Sequence, residues 1–302
     1  MRKNHYFYIF IIFAFTLYSC GDSKPNVEKP DSGWSLTIVD DLNDTLRFKT
    51  NPQKIISLAP NLTEMIYALE SDDKLIANTI YCNFPEPAKK KEKIGDMFSI
   101  DFEKIVTLKP DLILITVEGN NKGSYEKLIE LDQKVFVSNP RDFKGIIKTF
   151  SVLGKIFGKD SLAAFTINDW KERLAKIEKE NSKAAKRKVL FLISVNPLLT
   201  ASGKTFINEY LKYCNLQNIA EDSPVNYPAL SREEALKRNP EILIVQQNVS
   251  NKELLSQFPE WKNLSAVKNN MIIEIDPDLY FRPGPRFIEA LENLNEQITN
   301  YN

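Results

Sequence analysis

The sequence predicts an α/β protein of two similar lobes, each with a central, mainly parallel sheet. A long rigid helix joins the lobes and a cleft separates them. Three observations predict this. The first is an internal repeat, the feature that decides architecture before residue-level reading. Asp101-Phe-Glu-Lys-Ile-Val-Thr-Leu-Lys-Pro-Asp-Leu-Ile-Leu-Ile115 aligns with Ser231-Arg-Glu-Glu-Ala-Leu-Lys-Arg-Asn-Pro-Glu-Ile-Leu-Ile-Val245, 130 residues later. Only Glu103/Glu233 and Pro110/Pro240 are identical. Each copy nevertheless reads as an N-cap, a short amphipathic helix, a Pro that ends it, an acid, and four apolar residues suited to a buried parallel strand. The second observation is that an apolar strand precedes each copy (54–58 and 188–192) and another follows it (134–138 and 271–275). The third is a stretch without strand signal, 142–183, between the two halves.

The elements follow in order. Residues 34–39 and 45–48 flank the polar run 40–44 and read as a hairpin. Strand 55–58 ends at Ala59-Pro60-Asn61. Asn61 and Glu64 form an N-cap and N3 pair, and Leu62, Met65, Ile66 and Leu69 share one helical face. A short strand over 74–77 and the rigid loop Phe84-Pro85-Glu86-Pro87 precede the first repeat copy. A helix over 124–131 and a strand over 135–137 follow it. Phe143, Ile146, Ile147, Phe150, Val152 and Leu153 space one helix. After Gly154 and Gly158, residues 161–180 form a second helix, about 30 Å long if continuous. Strand 189–193, helix 205–213, the second repeat copy, helix 252–257, strand 272–275 and closing helix 285–298 complete the chain. The corresponding divisions are a first lobe 34–141, a helical connector 142–185 and a second lobe 186–302.

The first residues are a separate object. Arg2 and Lys3 precede an apolar run, 6–17, too short to span a bilayer and suited to a secretory leader. It ends in Leu17-Tyr18-Ser19-Cys20-Gly21, which resembles a bacterial lipobox, with Tyr18 bulkier than usual there. Residues 1–19 are then a leader, Cys20 is lipidated, and 20–33 is a polar tether. The protein is expected to be an exported lipoprotein on the periplasmic side of the cell envelope, held to the membrane by acyl chains. Cleavage would remove His5, the only histidine. That excludes Ser-His-Asp and Cys-His catalysis and histidine zinc sites. A net charge of zero argues against a nucleic-acid partner. Cys82 and Cys214 fall in different lobes and are expected to be free and buried.

Ligands of such sheets bind beyond the carboxyl ends of strands. Those ends carry Pro60, Asn61, Tyr81, the loop after Ile115, Tyr227, Tyr280 and Arg282, with Phe98 just before the first repeat helix. These are the candidate ligand-binding residues; catalytic and metal-ligating residues are expected to be absent.

Several motifs are similar to one known family: Ile55-Ile-Ser-Leu-Ala-Pro-Asn-Leu-Thr-Glu64, Tyr81-Cys-Asn-Phe-Pro85, Ile94-Gly95, Leu108-Lys-Pro-Asp-Leu112 and Arg282-Pro-Gly-Pro-Arg286. They resemble the iron-siderophore, haem and cobalamin class of periplasmic substrate-binding proteins of ABC importers, over most of the chain after Pro52. The resemblance implies two lobes bridged by one long helix. It implies a monomer without an intrinsic cofactor, whose partners are a small-molecule ligand, a permease and its ATPase. In the cobalamin-binding branch one surface glutamate per lobe docks onto permease arginines; by motif position these are Glu103 and Glu233. From the residues alone, both are acids in a first helical turn, a favoured place for them, and Glu234 completes a capping box with Ser231. That branch has tryptophans where Tyr227 and Tyr280 stand. A neutral aromatic cleft suits a corrinoid, while a ferric siderophore or haem remains the alternative cargo. An enzyme or chelatase-like protein on a two-lobe plan is a further alternative, as is a lipoprotein with an accessory role.

Overall fold

The structure is a computed structural model that describes residues 35–97, 99–247, 249 and 251–300. The expected leader, Cys20, the tether, Trp34 and Phe98 lie outside the described residues. A hairpin, β1 (Leu36–Val39) and β2 (Thr45–Phe48), opens the described chain. The first sheet contains β3 (Ile55–Ser57), β4 (Leu75–Asn78), β5 (Glu92–Lys93), β6 (Leu112–Thr116) and β7 (Val135–Ser138). It is parallel throughout, in the order β5-β4-β3-β6-β7. Helices α1 (Pro60–Ala68), α2 (Phe102–Leu108) and α3 (Lys122–Glu130) connect its strands. Two helices follow, α4 (Phe143–Phe157) and α5 (Asp160–Asn181).

The second sheet contains β8 (Arg187–Val195), β9 (Leu198–Thr200), β10 (Leu216–Asn218), β11 (Ile242–Gln246) and β12 (Ile272–Ile275). The parallel order is β10-β8-β11-β12, and β9 pairs antiparallel with β8. Its helices are α6 (Ile207–Tyr213), α7 (Arg232–Arg238), α8 (Asn251–Gln257), α9 (Ser265–Lys268), the single turn α10 (Pro277–Tyr280) and α11 (Phe287–Asn300).

The repeat has a physical basis at each joint. Asp101 and Ser231 cap α2 and α7, accepting from the Lys104 and Glu234 amides. Lys109 and Asn239 end the helices in the left-handed region, at φ 49° and 45°. After each Pro the acid turns back onto the neighbouring strand. Asp111 Oδ2 accepts from the amides of Gln53 and Lys54 at 2.8 and 2.9 Å, and Glu241 Oε2 accepts from the Lys188 amide at 2.9 Å. Leu112 then pairs with Ile55, and Ile242 with Val189. The repeated acid therefore sets the register of the central strand pair in each sheet. Glu234 does not close the expected capping box; its carboxylate accepts from Arg238 Nε at 2.6 Å.

β3, β6 and β7 are buried along their length, which explains their unbroken apolar sequences. One apolar core runs from Ile38 through the helices between the sheets to Ile298. Its centre is aromatic. Phe143 lies 4.7 Å from Phe287 and 5.1 Å from Tyr210, while Trp170 lies 4.7 Å from Phe150 and 5.1 Å from Phe287. Gly158 turns α4 into α5 at φ 68°, and Gly154 lets α5 approach, since a Cβ there would meet that of Ala163 at 2.6 Å. At 22 residues α5 is about 33 Å long. Arg173 on α5 grips Glu292 on α11 through two hydrogen bonds of 2.8 and 2.6 Å.

Some boundaries differ from the sequence reading. α1 starts at Pro60, a favourable first helical residue, so Asn61 and Glu64 are not its cap pair. The short strands β5, β9 and β10 carry too few residues to show a pattern.

Trp170→Ala should lower stability by about 3–5 kcal/mol. Because the core is continuous, urea unfolding should show one transition for the variant and the parent; two separate transitions would contradict the shared core. A second expectation concerns pH. Arg173 hydrogen bonds hold the Glu292 carboxyl below its ordinary value of 4.5. The folded state thus favours the carboxylate, so the pair's contribution is present above that value and lost as pH falls through the lower folded value. The destabilisation caused by Arg173→Ala, measured by denaturant titration, should be present at neutral pH and vanish in acid.

Candidate functional site

A cavity of about 490 Å³ opens at the carboxyl ends of both sheets. Pro60, Asn61, Tyr81, Met97, Thr116, Glu118, Ser138 and Asn139 line it from the first half of the chain, and Ile193, Ile207, Tyr227, Asp278, Phe281 and Arg282 from the second. Its position follows from strand direction, since parallel strands deliver their following loops to one edge.

Its floor is a buried charge cluster. Glu64 projects from α1 with its side chain only 1% exposed. Arg282 Nη1 donates to Glu64 Oε1 at 2.9 Å. Arg286 takes both carboxylate oxygens, with Nε to Oε2 at 2.9 Å and Nη2 to Oε1 at 2.8 Å. Asp278 adds a second carboxylate, 2.5 Å from Arg282 Nη2. Two acids thus balance two guanidiniums. Burial works against the Arg286 charge, but the hydrogen bonds and charge of Glu64 outweigh it and raise its pKa. The Phe84 ring covers Arg286 at 3.9 Å. Around this cluster the chain ends interlock. Asn83 Nδ2 donates to Asp278 Oδ2 at 2.6 Å, and Asn61 Nδ2 donates to the Pro283 carbonyl at 3.3 Å. Gly284 lies so close to α1 that a Cβ would stand 3.3 Å from Asn61 Cα. The Arg-Pro-Gly-Pro-Arg motif is therefore a joint, with Gly for close approach and one arginine on each side.

A second contact crosses the cavity. Tyr227 donates its hydroxyl to Glu118 Oε2 at 2.9 Å, and Arg141 pairs with Glu118 Oε1. Burial, then the charge and hydrogen bond of Glu118, push the Tyr227 pKa up, so the phenol remains a donor at neutral pH. Glu118 sits on a loop fixed by its own bonds. The Thr116 amide donates to Asn120 Oδ1, and the Gly119 amide to Thr116 Oγ1, both at 3.0 Å.

Among the sequence candidates, Pro60, Asn61, Tyr81, Tyr227 and Arg282 are brought together on the cavity wall. Tyr280 is not. It is 1% exposed, donates to Asn293 Oδ1 at 2.9 Å and packs 5.5 Å from the Tyr210 ring. The turn of α10 points it into the core and leaves its neighbour Phe281 on the cavity. Arg282 stands there with its charge already matched by Glu64 and Asp278. Glu118 lies in the loop after Ile115, one of the strand ends the sequence pointed to, though the residue itself was not named. Asp278 was not named, and Glu64 was read only as a cap partner; nothing in sequence pairs Glu64 with arginines more than 200 residues away. Cys82 and Cys214 are free and buried, and burial pushes the Cys214 thiol up to about 12. Among the described residues no cluster of His, Cys, Asp and Glu could hold a metal.

The periplasmic binding protein family model matches residues 55–279. The chain belongs to the periplasmic binding protein family. Its members here are binding proteins, and this chain is a substrate-binding protein rather than an enzyme. It is 31% identical over 300 residues to a protein of Bacillus subtilis named an ABC transporter substrate-binding lipoprotein, covering 95% of this chain and 94% of that one. It is 32% identical over 249 residues to the vitamin B12-binding protein of Photorhabdus laumondii, covering 82% and 89%. The crystal structure of the periplasmic vitamin B12-binding protein of Vibrio cholerae superposes with a TM-score of 0.75 at 27% identity, covering 83% of this chain and 98% of that one. The two-lobe α/β architecture is thus that of this family.

Glu103 and Glu233 occupy equivalent places in the family fold. Each lies in the first turn of a repeat helix and is exposed, and neither side chain forms an ion pair with the described residues. A connection of a few residues joins each helix end to the start of its strand, so both first turns lie at the cavity end of the sheets.

Glu64→Gln leaves the Arg286 guanidinium without its carboxylate and Arg282 with Asp278 alone, and should destabilise the protein by about 3–5 kcal/mol, read from chemical denaturation. A loss below 1 kcal/mol would show that the cluster does not hold the joint.

Proposed function

We propose that the protein captures a corrinoid and delivers it to the membrane permease of an ABC importer. The observation that carries this reading is the wall of the cavity. It offers the aromatic side chains of Tyr81, Tyr227 and Phe281, and among the described lining residues the one cation, Arg282, is already neutralised. A large planar ligand of low net charge gains there by stacking and burial of area. An anionic ferric siderophore or haem would meet no unpaired cation among the described lining residues. The vitamin B12-binding names of two relatives support the same choice. Pro60, Asn61, Tyr81, Tyr227 and Arg282 are then ligand contacts, and Phe98 stays a candidate from its sequence position.

Residues 1–19 are a leader, Cys20 carries lipid, and 20–33 tether the body to the envelope membrane on its periplasmic side. The name of the Bacillus subtilis relative supports this anchor. Residues 34–141 and 186–302 are the lobes, with 142–185 between them. The body works as a monomer without an intrinsic cofactor, with a permease and its ATPase as partners.

Calorimetric titration with cyanocobalamin should show one site per chain and no turnover; no binding of any corrinoid would overturn the reading. Glu103→Ala with Glu233→Ala should abolish corrinoid uptake by cells while leaving binding to the purified protein unchanged. Unchanged uptake would remove the docking role of the pair.

A further inference from the structure

We propose that Glu118 reads the periphery of the ligand, selecting an N–H donor such as a primary carboxamide and rejecting a carboxylate, and that the Tyr227 hydroxyl sits where that donor would sit. The proposal rests on the corrinoid reading above and deepens it to a residue and a functional group.

The cavity holds few acceptors able to change partner. Both Asp278 oxygens are engaged within the floor, one by Arg282 and one by Asn83. Glu118 differs. Arg141 takes Oε1 and orients the carboxylate, and Oε2 faces the cavity, where it accepts from a residue of the opposite wall. A ligand lying between the walls must part Tyr227 from Glu118. A carboxylate oxygen stripped of its donor in a partly buried site is costly, and a donor on the ligand restores the bond. A ligand carboxylate supplies no hydrogen and adds like charge. A corrin rim of neutral side-chain amides supplies such a donor. Rigidity matters as well, because the bonds within the Thr116–Asn120 loop keep Glu118 from turning away.

The test compares cyanocobalamin with its isomeric monocarboxylic acids, in each of which one side-chain amide is hydrolysed. Binding is measured for the parent, Glu118→Gln and Tyr227→Phe, with thermal unfolding confirming that each variant is folded. The parent should prefer cyanocobalamin over at least one acid by about tenfold or more. Glu118→Gln keeps the shape and offers an N–H, so it should lose that preference. Tyr227→Phe keeps the ring and removes the competing hydroxyl, so it should bind cyanocobalamin about fivefold more tightly. Equal binding of amide and acid by the parent, or a preference unchanged in Glu118→Gln, overturns the assignment and leaves the corrinoid reading intact. A parent that prefers an acid overturns it too, because Arg141 would then be the reader. Weaker binding by Tyr227→Phe overturns the shared seat. Failure of every corrinoid to bind the parent overturns the corrinoid reading and this assignment with it.

Discussion

One buried carboxylate, that of Glu64, ties the start of the fold to its end. It leaves α1 in the first sheet's layer and takes two guanidiniums from the segment that follows the last strand of the second. A lone carboxylate in that position would be strongly disfavoured by loss of water, and so would either arginine. Each is tolerable only in the company of the others. The surrounding details follow from keeping that company: proline and glycine between the arginines, the close approach of Gly284 to Asn61, the Phe84 ring over Arg286, and the Asp278 carboxylate completing the balance.

The joint is one side of a stiff frame. The other is the aromatic core behind the cavity, where α4, α5, α6 and α11 meet. With both in place, a wide swing of the lobes would have to break a buried ion cluster and a packed core together. Admission of a ligand is more economically achieved at the front, where Tyr227 and Glu118 share one partly solvated hydrogen bond. The dense contacts thus lie behind the cavity, and a single partly solvated one lies at its mouth.

Local pattern revealed the repeat, the buried strands and the long helices, because each is written in adjacent residues. Asp101 and Ser231 were legible as caps for the same reason. The role of Asp111 and Glu241 was not, since their partners lie more than 50 residues away at the start of another strand. The site divides similarly. Strand-end loops pointed to Tyr81 and Tyr227, but the turn that sends Tyr280 inward and Phe281 outward is a matter of a single step of backbone. Asn61 and Glu64 had the spacing of a helix cap, and long-range partners claimed both instead.

The matched charges of the cavity floor have a consequence for the setting in which the protein works. Attraction between free charges weakens as salt shortens the Debye length, from about 10 Å at 0.1 M to about 3 Å at 1 M. A ligand of low net charge over a balanced floor would draw little on such attraction. Its retention would then change little between dilute and saline surroundings.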